Sequence, residues 1–217
     1  ALDRADVAWR RASPAAPPVL SAPGYHSADD MIDALEALAA TWPALAAVVD
    51  LGASVEGRRV VALRIRATDT PRMSWRVLGA HHGDELSSAE VALATAEDLL
   101  GSYGVDREIT DLLDADEVWV APHVNPDGVD AWTRYNARNV DLNRNYGYEW
   151  SSTEWGSGDA EFSEPETRNI RTWSLWTAFG AGLSMHGGEA NIGWVWNYTA
   201  TRAPDDPLMS DMADAYA

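Results

Sequence analysis

Three short apolar runs, each ending in polar or metal-capable side chains, limit what this chain can fold into. They are "WRVLGAH" at 75–81, "EVWVAPHVN" at 117–125 and "GAGLSMHGG" at 180–188. Runs of this length bounded by Gly, Pro and Asn read as buried strands. Two helical patterns lie between them, Ser88 to Leu100 and Ser163 to Trp176. The second opens with Ser163 and Glu166 at capping-box spacing and Pro165 in its first turn. Strands alternating with helices predict an α/β fold, a sheet covered on both faces. In such sheets the ligand site lies beyond the carboxyl ends of the strands.

Upstream, Ser27 is an expected N-cap, with Met31, Leu35, Leu38 and Trp42 at helical spacing until Pro43 ends the run. "AAVVDLGASVEGRRVVALRI" then reads as two β-branched strands around a Gly-containing turn, a hairpin. Residues 1–23 hold four prolines and show no periodicity, so a flexible tail is expected there and the domain at 24–217. One domain suits 217 residues, 46% of them hydrophobic.

Sixteen basic residues, every one Arg, against 34 acidic give a net charge of −18, a field that repels nucleic acid and anionic membrane. Without Cys, any metal must be held by His, Asp and Glu. No run is long and apolar enough to span a membrane. The chain does not begin with Met, which is what removal of a leader would leave, so a secreted or periplasmic setting is expected, and a monomer.

"LGAHHGDELSSAE" at 78–90 holds two His-x-x-acid pairs, His81 with Asp84 and His82 with Glu85. Either pair has a spacing that can hold one cation from a tight turn, and a catalytic zinc needs a third protein ligand. His186, followed by Gly187 and Gly188, ends another apolar run and is the candidate. Two nitrogens, one carboxylate and an open position make a catalytic zinc set.

The segment between adds an Asn-Pro-Asp-Gly turn at 125–128, Arg134 and "DLNRN" at 141–145. Together with His82-Gly-Asp-Glu85 and Ser184-Met-His186-Gly-Gly188, these residues resemble the zinc carboxypeptidases of the carboxypeptidase A/B and N/E superfamily. "FSEPETR" at 162–168 is similar to a further segment of that family. The resemblance covers 25–217 in the family's order. It implies a mixed, mostly parallel twisted sheet, one zinc ion per chain, and hydrolysis of the C-terminal peptide bond of peptides or proteins. It implies that His82, Glu85 and His186 are the zinc ligands, leaving His81 and Asp84 as neighbours. It implies that Arg134 polarises the scissile carbonyl, and that Asn143 and Arg144 grip the substrate's terminal carboxylate.

Two departures stand out. The family's general-base Glu and substrate-covering Tyr fall after the third zinc ligand, past Ala217, so neither role is assigned. A partial catalytic domain lacking its last strand and helix, inert by itself, is expected. Where basic-specific relatives carry an Asp eleven positions after the His, this chain has Asn197, which predicts a neutral C-terminal residue. Trp194 and Trp196 read either as an aromatic surface or as core. The rival readings are a zinc amidohydrolase acting on N-acyl amino acids, akin to aspartoacylase and succinylglutamate desuccinylase, and a non-catalytic module that binds peptide C-termini.

Overall fold

The structure, a computed structural model, describes residues 24–188, 190–196 and 198–216. The expected tail at 1–23 and Asn197 lie outside the described residues. Helix α1 (Ala28–Thr41) starts where the sequence places it, since Ser27 Oγ accepts from Asp30 N and Ser27 N donates to Asp30 Oδ2. Met31 and Leu35 face inward with 1% and 0% exposure, each stabilising the fold by roughly 2–3 kcal/mol.

The hairpin follows as β1 (Ala46–Ala53) and β2 (Arg59–Ile65), antiparallel, with a bulge between Asp50 and Gly52. The three apolar runs become β3 (Ser74–Leu78), β4 (Glu117–Ala121) and β5 (Ala181–Ser184). The sheet is mixed, in the order β1-β2-β4-β3-β5. β4, β3 and β5 run parallel, and the hairpin joins β4 antiparallel.

Both faces are covered. Val61, Leu63, Ile65, Val118 and Val120 pack with α1, α2 (Leu86–Ser102) and α3 (Arg107–Ala115). The alternate residues Ala62, Trp119 and Ala121 pack with Ile170 and Trp173 of α5 (Pro165–Thr177). This two-sided burial is why β4 reads as a continuous apolar run rather than an alternating one.

Three expectations need correction. β5 is not buried: Gly182, Leu183 and Ser184 are exposed, because among the described residues β5 pairs with β3 alone. Ser163 does not cap α5: Glu164 is the N-cap residue, without a side-chain cap bond. Glu166 is instead fully buried, where it accepts from Val55 N and from Asn136 Nδ2. Residues 125–128 are not a free turn, since Asn125 caps a short helix, α4 (Pro126–Ala131), by accepting from Gly128 N. Helices α3 and α6 (Asp206–Tyr216) were not expected at all; Asp106 caps α3 by accepting from Glu108 N and Ile109 N. Among the described residues no helix is long and apolar enough to cross a membrane.

Candidate metal centre

The turn after β3 carries His81 and His82 and ends at Glu85, the N-cap residue of α2. Ser88 locks this turn, its Oγ accepting from Ala80 N at 2.9 Å and donating to Glu85 O at 2.6 Å. Gly83 in the turn meets Gly128 of α4 so closely that a Cβ built on it would lie 2.0 Å from Gly128 C. Only a glycine admits that approach, which presses the histidine turn onto α4. Glu85 makes no cap bond, so its carboxylate turns toward His82 and His186. His186 lies two residues past β5, where Met185 N donates to Leu78 O.

These three side chains converge. His82 Nδ1 lies 2.8 Å from Glu85 Oε1, His186 Nδ1 lies 2.9 Å from Glu85 Oε2, and the two Nδ1 atoms are 3.3 Å apart. Among the described residues, His82, Glu85 and His186 form the group whose ligand atoms lie within 4.8 Å of one another. Gly187 N donates to Glu85 Oε2 at 3.0 Å. Asp141 Oδ1 faces His82 Nε2 at 3.1 Å, so a proton on Nε2 has an acceptor while Nδ1 is directed at Glu85 or at a cation in its place. Two imidazole nitrogens and one carboxylate converging on one point are a zinc donor set. The residues present therefore fit that metal.

Arg134 already answers the same field. Its Nη1 lies 3.2 Å from His82 Nδ1 and 3.8 Å from Glu85 Oε1. Asp141 holds the rest of the guanidinium, with Nε at 2.9 Å and Nη2 at 2.8 Å from Oδ2. Burial would raise the Asp141 carboxyl, but His82 and Arg134 together hold it down to about 2. Burial would likewise lower His82, and its bonds to Asp141 and Glu85 outweigh it, so the net shift is upward. Glu85 is lowered: burial opposes this, and His82 and Gly187 N prevail.

The remaining sequence candidates fall around this centre. Asn143 and Arg144 sit in a 3-10 turn, Leu142–Arg144, that starts at Asp141; both are exposed, and Arg144 Nε lies 3.6 Å from the exposed Glu154. His81 faces away from the cluster, with Nε2 2.8 Å from Tyr146 Oη and Nδ1 3.2 Å from Ser184 Oγ. Burial, with repulsion from His186 and His82, pushes its imidazole down to about 3. Asp84 is exposed. Neither Trp194 nor Trp196 is core: Trp194 Nε1 donates to Asp206, and Trp196 stacks on Tyr148 at 6.4 Å and 12°.

Sequence reasoning assigned no role to Asp141, Asn125 or Asn145. Asn125, fully buried, caps α4 and donates from Nδ2 to both His81 O and Arg134 O at 3.4 Å. Asn145, also fully buried, reaches Ser157 O, Ala160 O and Ser163 Oγ from one amide nitrogen. The signal available was the density of Asn and Asp around Arg134 and Arg144, since a ligating His needs a partner on its second nitrogen.

The profile of the zinc carboxypeptidase family matches residues 31–217. Carboxypeptidase D of Mus musculus is 27% identical over 214 residues, covering 89% of this chain and 15% of that protein. Two solved structures share the fold. Thrombin activatable fibrinolysis inhibitor superposes with TM-score 0.80 at 22% identity, over 88% of this chain and 54% of that one. Carboxypeptidase A from Helicoverpa armigera gives 0.78 at 24%, over 89% and 53%. The chain thus spans a small part of carboxypeptidase D and about half of either solved relative.

Proposed function

Because the chain belongs to the zinc carboxypeptidase family, we propose that it serves hydrolysis of the C-terminal peptide bond of peptides or proteins. The observation that carries this reading is the convergence of His82, Glu85 and His186 beside Arg134. In this reading the three side chains hold one zinc ion. Zinc bound there supplies Lewis acidity, which polarises a carbonyl and acidifies water.

The protein's own groups do the rest. Arg134 presents Nη1 toward the metal ligands while Asp141 fixes its other two nitrogens, so a positive charge stands ready where a scissile carbonyl oxygen gains negative charge. Asp141 also gives a proton on His82 Nε2 an acceptor, while Nδ1 is directed at Glu85 or at a cation in its place. Arg144, exposed and only loosely paired with Glu154, is free to exchange that partner for a substrate's terminal carboxylate, with Asn143 beside it. Asn125 ties the histidine turn to the Arg134 segment, so metal ligands and oxyanion cation keep their spacing. Asn197 stands in the sequence where basic-specific relatives carry an Asp, and Trp196 stacks on Tyr148, which together support a neutral aromatic or aliphatic C-terminal residue.

Amidation of the substrate tests the reading. Removing the terminal anion takes away the charge-assisted contact to Arg144 and should lower kcat/KM by about tenfold or more. Equal rates on free-acid and amidated peptides would mean that Arg144 does not hold the terminal carboxylate.

A further inference from the structure

At the end of the strands opposite the histidine turn, on the face covered by α5, lies an open cleft of about 460 Å³. Its lining includes Arg64 and Arg66 of β2, Glu117 and Trp119 of β4, and Trp176 and Thr177 at the end of α5. Arg64 is half-buried, stands 5.7 Å over the Trp119 ring, and has no carboxylate partner among the described residues. In a chain of net charge −18 an unpaired guanidinium beside a cavity is conspicuous, because acids are plentiful. Arg66, by contrast, pairs with Asp69.

Glu117 is 6% exposed and takes one side-chain hydrogen bond, from Ser74 Oγ to Oε1 at 2.6 Å, which leaves Oε2 without a partner among the described residues. Beneath the lining, Trp119 Nε1 and Thr177 Oγ1 are buried without a partner among the described residues. Polar groups in folded proteins are nearly always satisfied, and the two that a molecule in the cleft could reach are the Arg64 guanidinium and Glu117 Oε2. Arg64 is the direct cross-strand partner of Trp119, and Glu117 lies two residues along the same face. The cation and the anion are therefore diagonal neighbours, roughly 7 Å apart at the backbone, with an indole between them. They make no ion pair with each other. A ligand that joins them must carry an anion and a cation close together on an apolar body.

We propose that this cleft binds a free α-amino acid with an apolar or aromatic side chain: carboxylate on Arg64, ammonium on Glu117, side chain against Trp176, which rests on the nearly buried Trp119. Trp176, 57% exposed and edge-on to Trp119 at 5.9 Å, forms the outer wall. Carboxypeptidase action would release a molecule of this class, but the assignment rests on the cleft's own groups.

The test is titration of the full chain with L-phenylalanine, followed by calorimetry and by the indole N–H resonance of Trp119. A saturable site that shifts the Trp119 resonance is expected, distinct from any hold on the carboxylate by Arg144. N-acetyl-L-phenylalanine, which lacks the ammonium, and phenylalanine amide, which lacks the carboxylate, should each bind about tenfold more weakly or worse. Arg64→Gln and Glu117→Gln should weaken L-phenylalanine to the same degree, with thermal melts confirming the fold. Trp176→Ala, on an exposed helix end, weakens binding without threatening the core and serves if either strand variant unfolds. Arg144→Ala should leave the affinity unchanged. Absence of saturable binding at millimolar concentrations overturns the proposal, as does binding that survives both strand substitutions. Binding that disappears with Arg144→Ala would place the amino acid at the metal centre, which ends this proposal while leaving the peptidase reading intact.

Discussion

Replacing Asp141 by Asn tests how the centre is held together, because one buried carboxylate there serves both halves. Its side chain, 6% exposed, meets His82 Nε2 at 3.1 Å, Asn143 N at 3.0 Å, and Arg134 Nε and Nη2 at 2.9 and 2.8 Å. An amide keeps the shape but has one accepting oxygen, and its NH2 opposes donors on the other side, so about half of these contacts lose their acceptor. Each hydrogen bond to a charged partner is worth about 1.5–3 kcal/mol. If the His82 bond is lost, the ring is no longer committed to presenting its Nδ1 lone pair, and loss of such a partner typically weakens metal binding by about tenfold to a hundredfold. If the Arg134 bonds are lost, the guanidinium swings out and peptide turnover falls while zinc stays. Competition with a chelator of known affinity, measured on protein whose melting is followed in parallel, reads the first outcome, and turnover at saturating zinc reads the second. Unchanged zinc affinity together with unchanged turnover in a folded Asp141→Asn protein would show that this carboxylate positions neither the histidine nor the arginine.

His186→Ala should abolish stoichiometric zinc with little loss of stability, since that side chain is 34% exposed, and undiminished zinc by metal analysis would remove it from the ligand set. Peptides ending in Phe or Leu should be cut faster than those ending in Arg or Lys because Asn197 carries no charge; a clear preference for Arg or Lys would reverse that expectation. Gly83→Ala should cost about 1–3 kcal/mol, as its Cβ would sit 2.0 Å from the Gly128 backbone, and an unaltered melting temperature would show that the contact yields freely. Burial, against the pull of Asp130, holds the unpartnered His123 imidazole down to about 4 from its ordinary 6.5. The unfolded chain then binds more protons between those values, so stability is lost as pH falls through that window, by about 3 kcal/mol in all. His123→Leu should flatten that limb of the urea midpoint against pH, and parallel curves for parent and variant would count against it.

What local pattern controls was legible in the sequence. α1 begins at Ser27 because the capping box needs nothing beyond its own turn, and the strand runs declared themselves by composition. That His82, Glu85 and His186 would come together was legible in part: two His-x-x-acid pairs share the turn after β3, only the family resemblance singled out His82 with Glu85, and parallel neighbours bring the carboxyl ends of β3 and β5 side by side. Where tertiary contacts compete with local ones, the reading failed. Glu166 has capping-box spacing from Ser163, yet Val55 N and Asn136 draw it into the interior, and Glu164 takes the cap position instead. β5 has the composition of a buried strand, but burial depends on neighbours that sequence does not name.

Glu85 shows the same competition resolved in favour of the site. At the N-cap position of α2 an acid would ordinarily accept from the helix's first N–H groups, and this one does not. Its two oxygens are divided between His82 and His186, while Ser88 supplies the local bonds that hold the turn. The location still helps the carboxylate stay ionised, because the positive end of the α2 dipole lies beneath it. Burial works against ionisation, and the hydrogen bonds of His82 and Gly187 N, aided by that dipole, carry it the other way. A Gln at this position would keep the size and the helix start but lose the charge. It should therefore weaken cation binding while leaving α2 intact, which separates the metal role of Glu85 from any part in starting the helix.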